Sequence, residues 1–264
     1  MSLTKNAMKL LFALITLMLV TNGNAIINGV DIEAPLPLPA RSLVALKLNY
    51  KDDQGRLLFK KASGVIIGKR TVLTAGHNLF YMTTAQDIEV IFSPKPTWGR
   101  IDSEIRILGK DKIIHPDFKN EYPSPPSNDI ALLILESEIP EGYEIAQLHD
   151  ITSSITRYVQ VYGYGMSLEY SVPPLSDFKL RTTSSFFKNF SYELGSSNLF
   201  WTNQTTSGFC GGDSGGPAFF EDTNQVVGIA SYTDKDADGK YRCLTFGGFV
   251  DVVFYLNWIK TKIQ

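Results

Sequence analysis

The sequence is poor in several things that would each have pointed to a different protein. Two cysteines among 264 residues allow at most one intramolecular bridge, and three histidines leave few candidates for an imidazole base. There is no long basic run, and 25 Lys and Arg stand against 27 Asp and Glu, so the clustered cations of a nucleic-acid surface are missing. The apolar run Leu10 to Val20 holds eleven residues where a membrane span needs about 20, which argues against an anchor. Internal repeats and low-complexity tracts are also missing. What is present is enough apolar material for a substantial core: 44% hydrophobic residues against 20% charged exclude disorder, collagen and coiled coil. The length allows one large domain or two small ones.

Residues 1–25 read as a signal peptide. Lys5 and Lys9 precede the apolar run, and Gly23-Asn24-Ala25 supplies the small residues of a cleavage site, so the mature chain is expected to start at Ile26. The protein is then secreted or periplasmic, with no membrane attachment after cleavage and in a compartment where a disulfide persists.

In the rest of the chain, apolar residues recur mostly with period two, the spacing that puts them on one face of a strand. Val44, Leu46, Leu48 and Tyr50 alternate, as do Ile88, Val90 and Phe92, then Ile130, Leu132 and Ile134, then Val159 and Val161. Proline-rich breaks at Pro94 to Pro96, Pro123 to Pro126 and Pro173-Pro174 separate the runs. Such a pattern predicts an all-β barrel or sandwich. At the C-terminus, Val252, Leu256, Ile259 and Ile263 follow a helical spacing instead, predicting an amphipathic terminal helix.

Three segments carry groups that make a chemical set: Leu73-Thr74-Ala75-Gly76-His77, Asn128-Asp129-Ile130-Ala131, and Gly211-Gly212-Asp213-Ser214-Gly215-Gly216-Pro217. A serine hydroxyl is a poor nucleophile until an imidazole takes its proton, and the imidazole needs a carboxylate to hold its tautomer. Glycines around Ser214 let the backbone turn sharply, so the amides of Gly212 and Ser214 can point at a developing oxyanion. Gly212 to Gly216 also fits the G-x-S-x-G elbow of α/β-hydrolases, but there the histidine follows the serine. Here His77, His115 and His149 all precede Ser214. His115 and His149 read as surface residues.

With His, Asp and Ser in this order, the chain resembles the trypsin/chymotrypsin-type serine proteases over residues 26 to 264. Ile26-Ile27-Asn28-Gly29 is similar to the mature N-terminus of that family, Val161-Tyr162-Gly163-Tyr164-Gly165 to its mid-chain turn, and Tyr255 to Ile259 to its terminal helix. The resemblance implies two antiparallel six-stranded β-barrels with a cleft between them. Residues 26–145 would form the barrel carrying His77 and Asp129, and 146–264 the barrel carrying Ser214 and the terminal helix. It implies a monomeric serine endopeptidase acting on proteins or peptides, with no metal or cofactor. It further implies that the freed Ile26 amine pairs with Asp213, shaping the oxyanion hole, and that Cys210 and Cys243 form a bridge beside the specificity pocket. Asn78 and Ala62 stand where another bridge is common, and Val159 and Phe220 replace a third.

By the same resemblance Gly208, Phe209, Ser231, Tyr232, Thr233 and Gly247 frame the specificity pocket. No acid lies at its floor, which disfavours Arg or Lys before the cleaved bond, because a buried cation needs a partner. Phe209 and Thr233 are expected to narrow the pocket towards small or medium apolar residues, with Gly247 leaving one wall open. Asp234 to Gly239 has the spacing that opens a calcium loop, yet Thr245 stands where its last ligand, a glutamate, would be, so a solvated turn is expected. Asn189 and Asn203 begin glycosylation acceptor motifs. The competing reading is a protease-fold binding or adhesion protein with a blocked pocket, and a third is an esterase using the same triad.

Overall fold

The computed structural model describes residues 26–99, 101–121, 124–150, 158–167, 178–188 and 198–263. Residues 1–25, read from the sequence as a signal peptide, and the Asn189 motif lie outside them. Among the described residues, fourteen strands dominate. The first barrel closes in the order β2 (Leu43–Lys51), β3 (Leu57–Gly68), β4 (Thr71–Thr74), β7 (Ala131–Leu135), β6 (Arg106–Ile114) and β5 (Ile88–Ile91), which returns to β2. The second ring runs β9 (Tyr158–Gly163), β10 (Arg181–Lys188), β11 (Leu199–Asn203), β14 (Tyr241–Asp251), β13 (Gln225–Lys235) and β12 (Pro217–Phe220), and β12 pairs back to β9. Two short strands join this second sheet: β1 (Val30–Asp31) beside β10 and β8 (Gln147–Leu148) beside β13. The architecture is the expected pair of antiparallel six-stranded barrels.

The alternation maps onto two cores. Val44, Leu46 and Leu48 fill the first barrel, while Leu43 and Ala45 on the opposite face of β2 belong to a seam between the barrels. On β7 the alternating set Ile130 and Leu132 faces that seam, and the interior is filled by Ala131, Leu133 and Leu135. A strand buried on both faces reads as continuous apolar sequence, which is why Ala131 to Leu135 shows no polar residue. The second barrel encloses Val159, Val161, Phe200, Phe209, Ala218 and Phe249. Val159 pairs with Phe220 across β9 and β12, so this replaced bridge has become an apolar cross-strand contact.

The terminal helix is shorter than its spacing predicts: a 3-10 turn over Val252–Tyr255 precedes one α-helical turn, α2 (Leu256–Lys260). Leu256 and Ile259 are buried in the seam. His115 is not a surface residue. It is half-buried, its ring 5.2 Å from Tyr255 and 5.0 Å from Trp258, and burial lowers its pKa. His149 is likewise half-buried, edge-on to Phe220 at 4.5 Å. No helix among the described residues is long and apolar enough to cross a membrane.

Candidate active site

Strand register brings the first two groups together. Thr74 pairs with Ala131 in antiparallel β4 and β7, so the chain leaving β4 passes the chain entering β7. His77, in the short helix α1 (Gly76–Phe80), meets Asp129 there. Asp129 is fully buried, and its Oδ1 accepts the His77 backbone N–H at 2.7 Å while its Oδ2 lies 2.7 Å from Nδ1. A carboxylate only accepts, so this contact puts the ring proton on Nδ1 and leaves the Nε2 lone pair available. Ser231 Oγ donates to the same Oδ2 at 2.6 Å, so this expected pocket residue also secures the carboxylate. Asn128 is held left-handed (φ 49°) before Asp129, with its amide oxygen accepting from Tyr255 Oη at 2.9 Å.

Ser214 lies in the loop between Cys210 and Pro217 and lines the same open cavity as His77, about 280 Å³ in volume. Among the described residues no hydrogen bond joins the Ser214 hydroxyl to the imidazole. Gly212 adopts φ 93°, a region that glycine enters without strain, and among the described residues neither the Gly212 nor the Ser214 N–H has an acceptor. The adjoining turn is pinned by Asp213 N–H to Cys210 O at 3.0 Å and Gly216 N–H to Asp213 O at 2.8 Å.

Two anchors that the sequence did not disclose hold this loop against the first barrel. The Ser214 carbonyl accepts both the Ser63 backbone N–H and Asn78 Nδ2, each at 2.9 Å. Asn78 Nδ2 also donates to Thr74 Oγ1 at 3.0 Å, and Ser63 Oγ donates to the Gly212 carbonyl at 3.1 Å. Asn78 therefore does more than stand in for a missing cysteine. A replaced cysteine was its only sequence signal, and Ser63 had none.

Asp213 is fully buried; Gly165 N–H donates to its Oδ1 at 2.6 Å and Cys210 N–H to its Oδ2 at 2.8 Å. Burial pushes its pKa up to about 7, opposed by these two amides and by the charge of Arg181. The glycines of the Gly-Tyr-Gly turn make room for it: a Cβ on Gly163 would come within 2.8 Å of Asp213 Cγ, and one on Gly165 within 2.5 Å of its Oδ2. Ile26 is buried in the second barrel beside Phe209. The next residue, Ile27, makes an antiparallel bridge with Gly208.

Cys210 and Cys243 are joined by a disulfide. Of the expected pocket residues, Phe209, Ser231, Tyr232 and Thr233 line the cavity, whereas Gly208 and Gly247 are not among its lining residues. Tyr81 and Asn120 form the opposite lip, tied by Asn120 Nδ2 to Tyr81 Oη at 2.7 Å. The acidic Asp234 to Gly239 segment is a hairpin turn in which Asp236 Oδ1 accepts the N–H groups of Asp238 and Lys240 at 3.0 and 2.9 Å. Asn203 ends β11 exposed, its Oδ1 accepting the Thr205 N–H at 2.9 Å.

Two barrels with a buried Asp-His pair and a glycine-framed serine at their junction define a serine-protease-type fold. A sequence profile described as Trypsin matches residues 45–259, and the chain belongs to this family of serine endopeptidases. Among curated relatives, the complement C1r subcomponent-like protein of Mus musculus is 26% identical over 78% of this chain, which spans 46% of that relative's length. Serine protease SP24D of Anopheles gambiae is 24% identical, covering 76% of this chain and 71% of its own. The solved structure of neuropsin, a serine protease expressed in the limbic system of mouse brain, superposes with a TM-score of 0.67 at 20% identity. The match covers 89% of this chain and 99% of that one, a likeness of fold.

Proposed function

We propose that the chain is a secreted serine endopeptidase in which His77, Asp129 and Ser214 act together. Ser214 Oγ attacks the carbonyl carbon of the scissile bond as its proton passes to His77 Nε2. The tetrahedral oxyanion is met by the N–H groups of Gly212 and Ser214, a contribution of about 2.7 to 4 kcal/mol for each such donor. His77 then gives the proton to the leaving amine nitrogen, the C–N bond breaks, and an acyl-enzyme remains on Ser214. Water repeats the sequence, losing its proton to His77 and releasing the acid and the free serine. Asp129 keeps the imidazole in the right tautomer and stabilises its charged form. The observation that carries this reading is the double grip of Asp129 on the His77 backbone and ring, in the cavity that Ser214 also lines.

Activation follows release of the Ile26 amine, which pairs with Asp213; one additional residue before Ile26 should nearly abolish turnover. Breaking a buried pair on one side costs about 3 to 5 kcal/mol. The residue before the cleaved bond is apolar and small to medium, because no acid stands at Gly208 to receive a cation. A fluorophosphonate probe tests the reading: Ser214 should be labelled in protein starting at Ile26, and labelling should vanish in Ser214→Ala and fall steeply in His77→Ala. An unlabelled parent protein would favour a binding role instead.

A further inference from the structure

Gln204 carries no motif of its own, yet it sits against two of the residues expected to frame the specificity pocket. It is fully buried, and its side chain runs between Gly208 and Gly247. A Cβ on Gly208 would come within 2.5 Å of Gln204 Cβ, and one on Gly247 within 2.5 Å of Gln204 Oε1. The opening that Gly247 was expected to leave is therefore filled.

Both ends of the Gln204 amide are engaged. Nε2 donates to the carbonyls of Cys243 and Phe209 at 2.8 and 3.2 Å, and Oε1 accepts the Phe209 N–H at 2.9 Å. Swinging this side chain aside would strand three buried backbone groups, each costing about 1 to 3 kcal/mol, so the plug is fixed. Phe209 completes it: its ring packs against Phe249 at 4.9 Å inside the second barrel, only 1% exposed. Phe209 thus packs its ring into the barrel core, where the sequence led us to expect a residue narrowing the walls.

We propose that Gln204 is the specificity-determining residue of this enzyme, closing the deep pocket so that only a small residue, such as Ala, Ser or Gly, is accepted before the scissile bond. That side chain rests on a shallow shelf made by Cys210, Gly211, Tyr232 and Thr233, all of which line the cavity. The proposal rests on the endopeptidase reading and sharpens it, since medium and large apolar residues are now excluded by volume and cationic ones by the lack of a counter-charge.

The test is a set of peptide anilides differing only in that residue. For the unmutated enzyme, kcat/KM should be at least about tenfold higher for Ala than for Leu or Phe, the scale on which a pocket discriminates added methylenes. Gln204→Gly should raise the Leu and Phe values about tenfold or more relative to the Ala value of the same variant. Gln204→Met, which refills the volume, should keep the parent ranking. Equal hydrolysis of Ala and Phe by the unmutated enzyme overturns the proposal, as does a parental ranking in a Gln204→Gly protein that melts cooperatively and takes the fluorophosphonate label. If Gln204→Gly does not fold, the ranking of the unmutated enzyme decides. Failure of the unmutated protein to take the label overturns the endopeptidase reading itself, and this proposal with it.

Discussion

The loop carrying Ser214 is attached on two sides by different means. Towards the pocket, Cys210 is bonded covalently to Cys243, a link made wholly within the second barrel. Towards the first barrel, the loop is held by hydrogen bonds from Ser63 and Asn78, with Thr74 behind them. The disulfide restrains the chain even when unfolded, whereas the polar clamp exists only while the two barrels are docked. One attachment therefore stabilises a barrel, and the other couples two barrels at Ser214.

The strongest way to break this comparison is to remove the covalent side. Replacing both cysteines by serine should lower unfolding stability by about 4 kcal/mol for a loop of 33 residues, read by denaturant melts; an unchanged midpoint would mean that the staple is redundant. The pH dependence separates the sides next, because Asp213 hangs on Cys210 N–H and titrates, while Ser63, Asn78 and Thr74 do not. A carboxyl whose pKa is raised from 3.8 to about 7 binds more protons folded than unfolded in that window. Its stabilising contribution is full below about pH 4 and is lost as pH rises to about 7, up to about 4 kcal/mol. Melts of protein with residues still attached before Ile26 should show this decline. In protein starting at Ile26 it should shrink if the new amine pairs with Asp213.

Asn78→Ala sharpens the comparison from the other side. Among the described residues, it takes one of two donors from the half-buried Ser214 carbonyl and the one donor from the Thr74 oxygen, at a cost of about 1 kcal/mol, and should lower kcat with little change in KM. The smallest effect is expected for Thr74→Val, about 0.5 to 1.5 kcal/mol, since among the described residues Thr74 Oγ1 hydrogen-bonds Asn78 and the Ser63 carbonyl and not the loop itself. In a double-mutant cycle Asn78→Ala and Thr74→Val should be non-additive, while either combined with the cysteine pair should add.

Much of this was legible in the sequence, and for physical reasons. Strands such as Val44 to Leu48 advertise their pairing by period, and His77, Asp129 and Ser214 stand in glycine and apolar frames that few other chemistries need. The polar clamp and Gln204 were not legible, because a side chain bonding a backbone group 136 residues away leaves no local pattern. Gln204 is hidden further by its neighbours, for Asn203-Gln204-Thr205 reads as an exposed acceptor while only its first and last residues face solvent. His115 misled for the opposite reason: the proline after it suggests a loop in water, but the rings covering it, Tyr255 and Trp258, arrive from the far end of the chain.

That far end has a mechanical meaning. Among the described residues, the segment before the first barrel pairs β1 onto the second, and the segment after β14 leaves the second barrel so that Ile263 sits against Gly68 of the first. Both flanking segments therefore tie one barrel to the other. Parting the barrels requires both ties to be undone together.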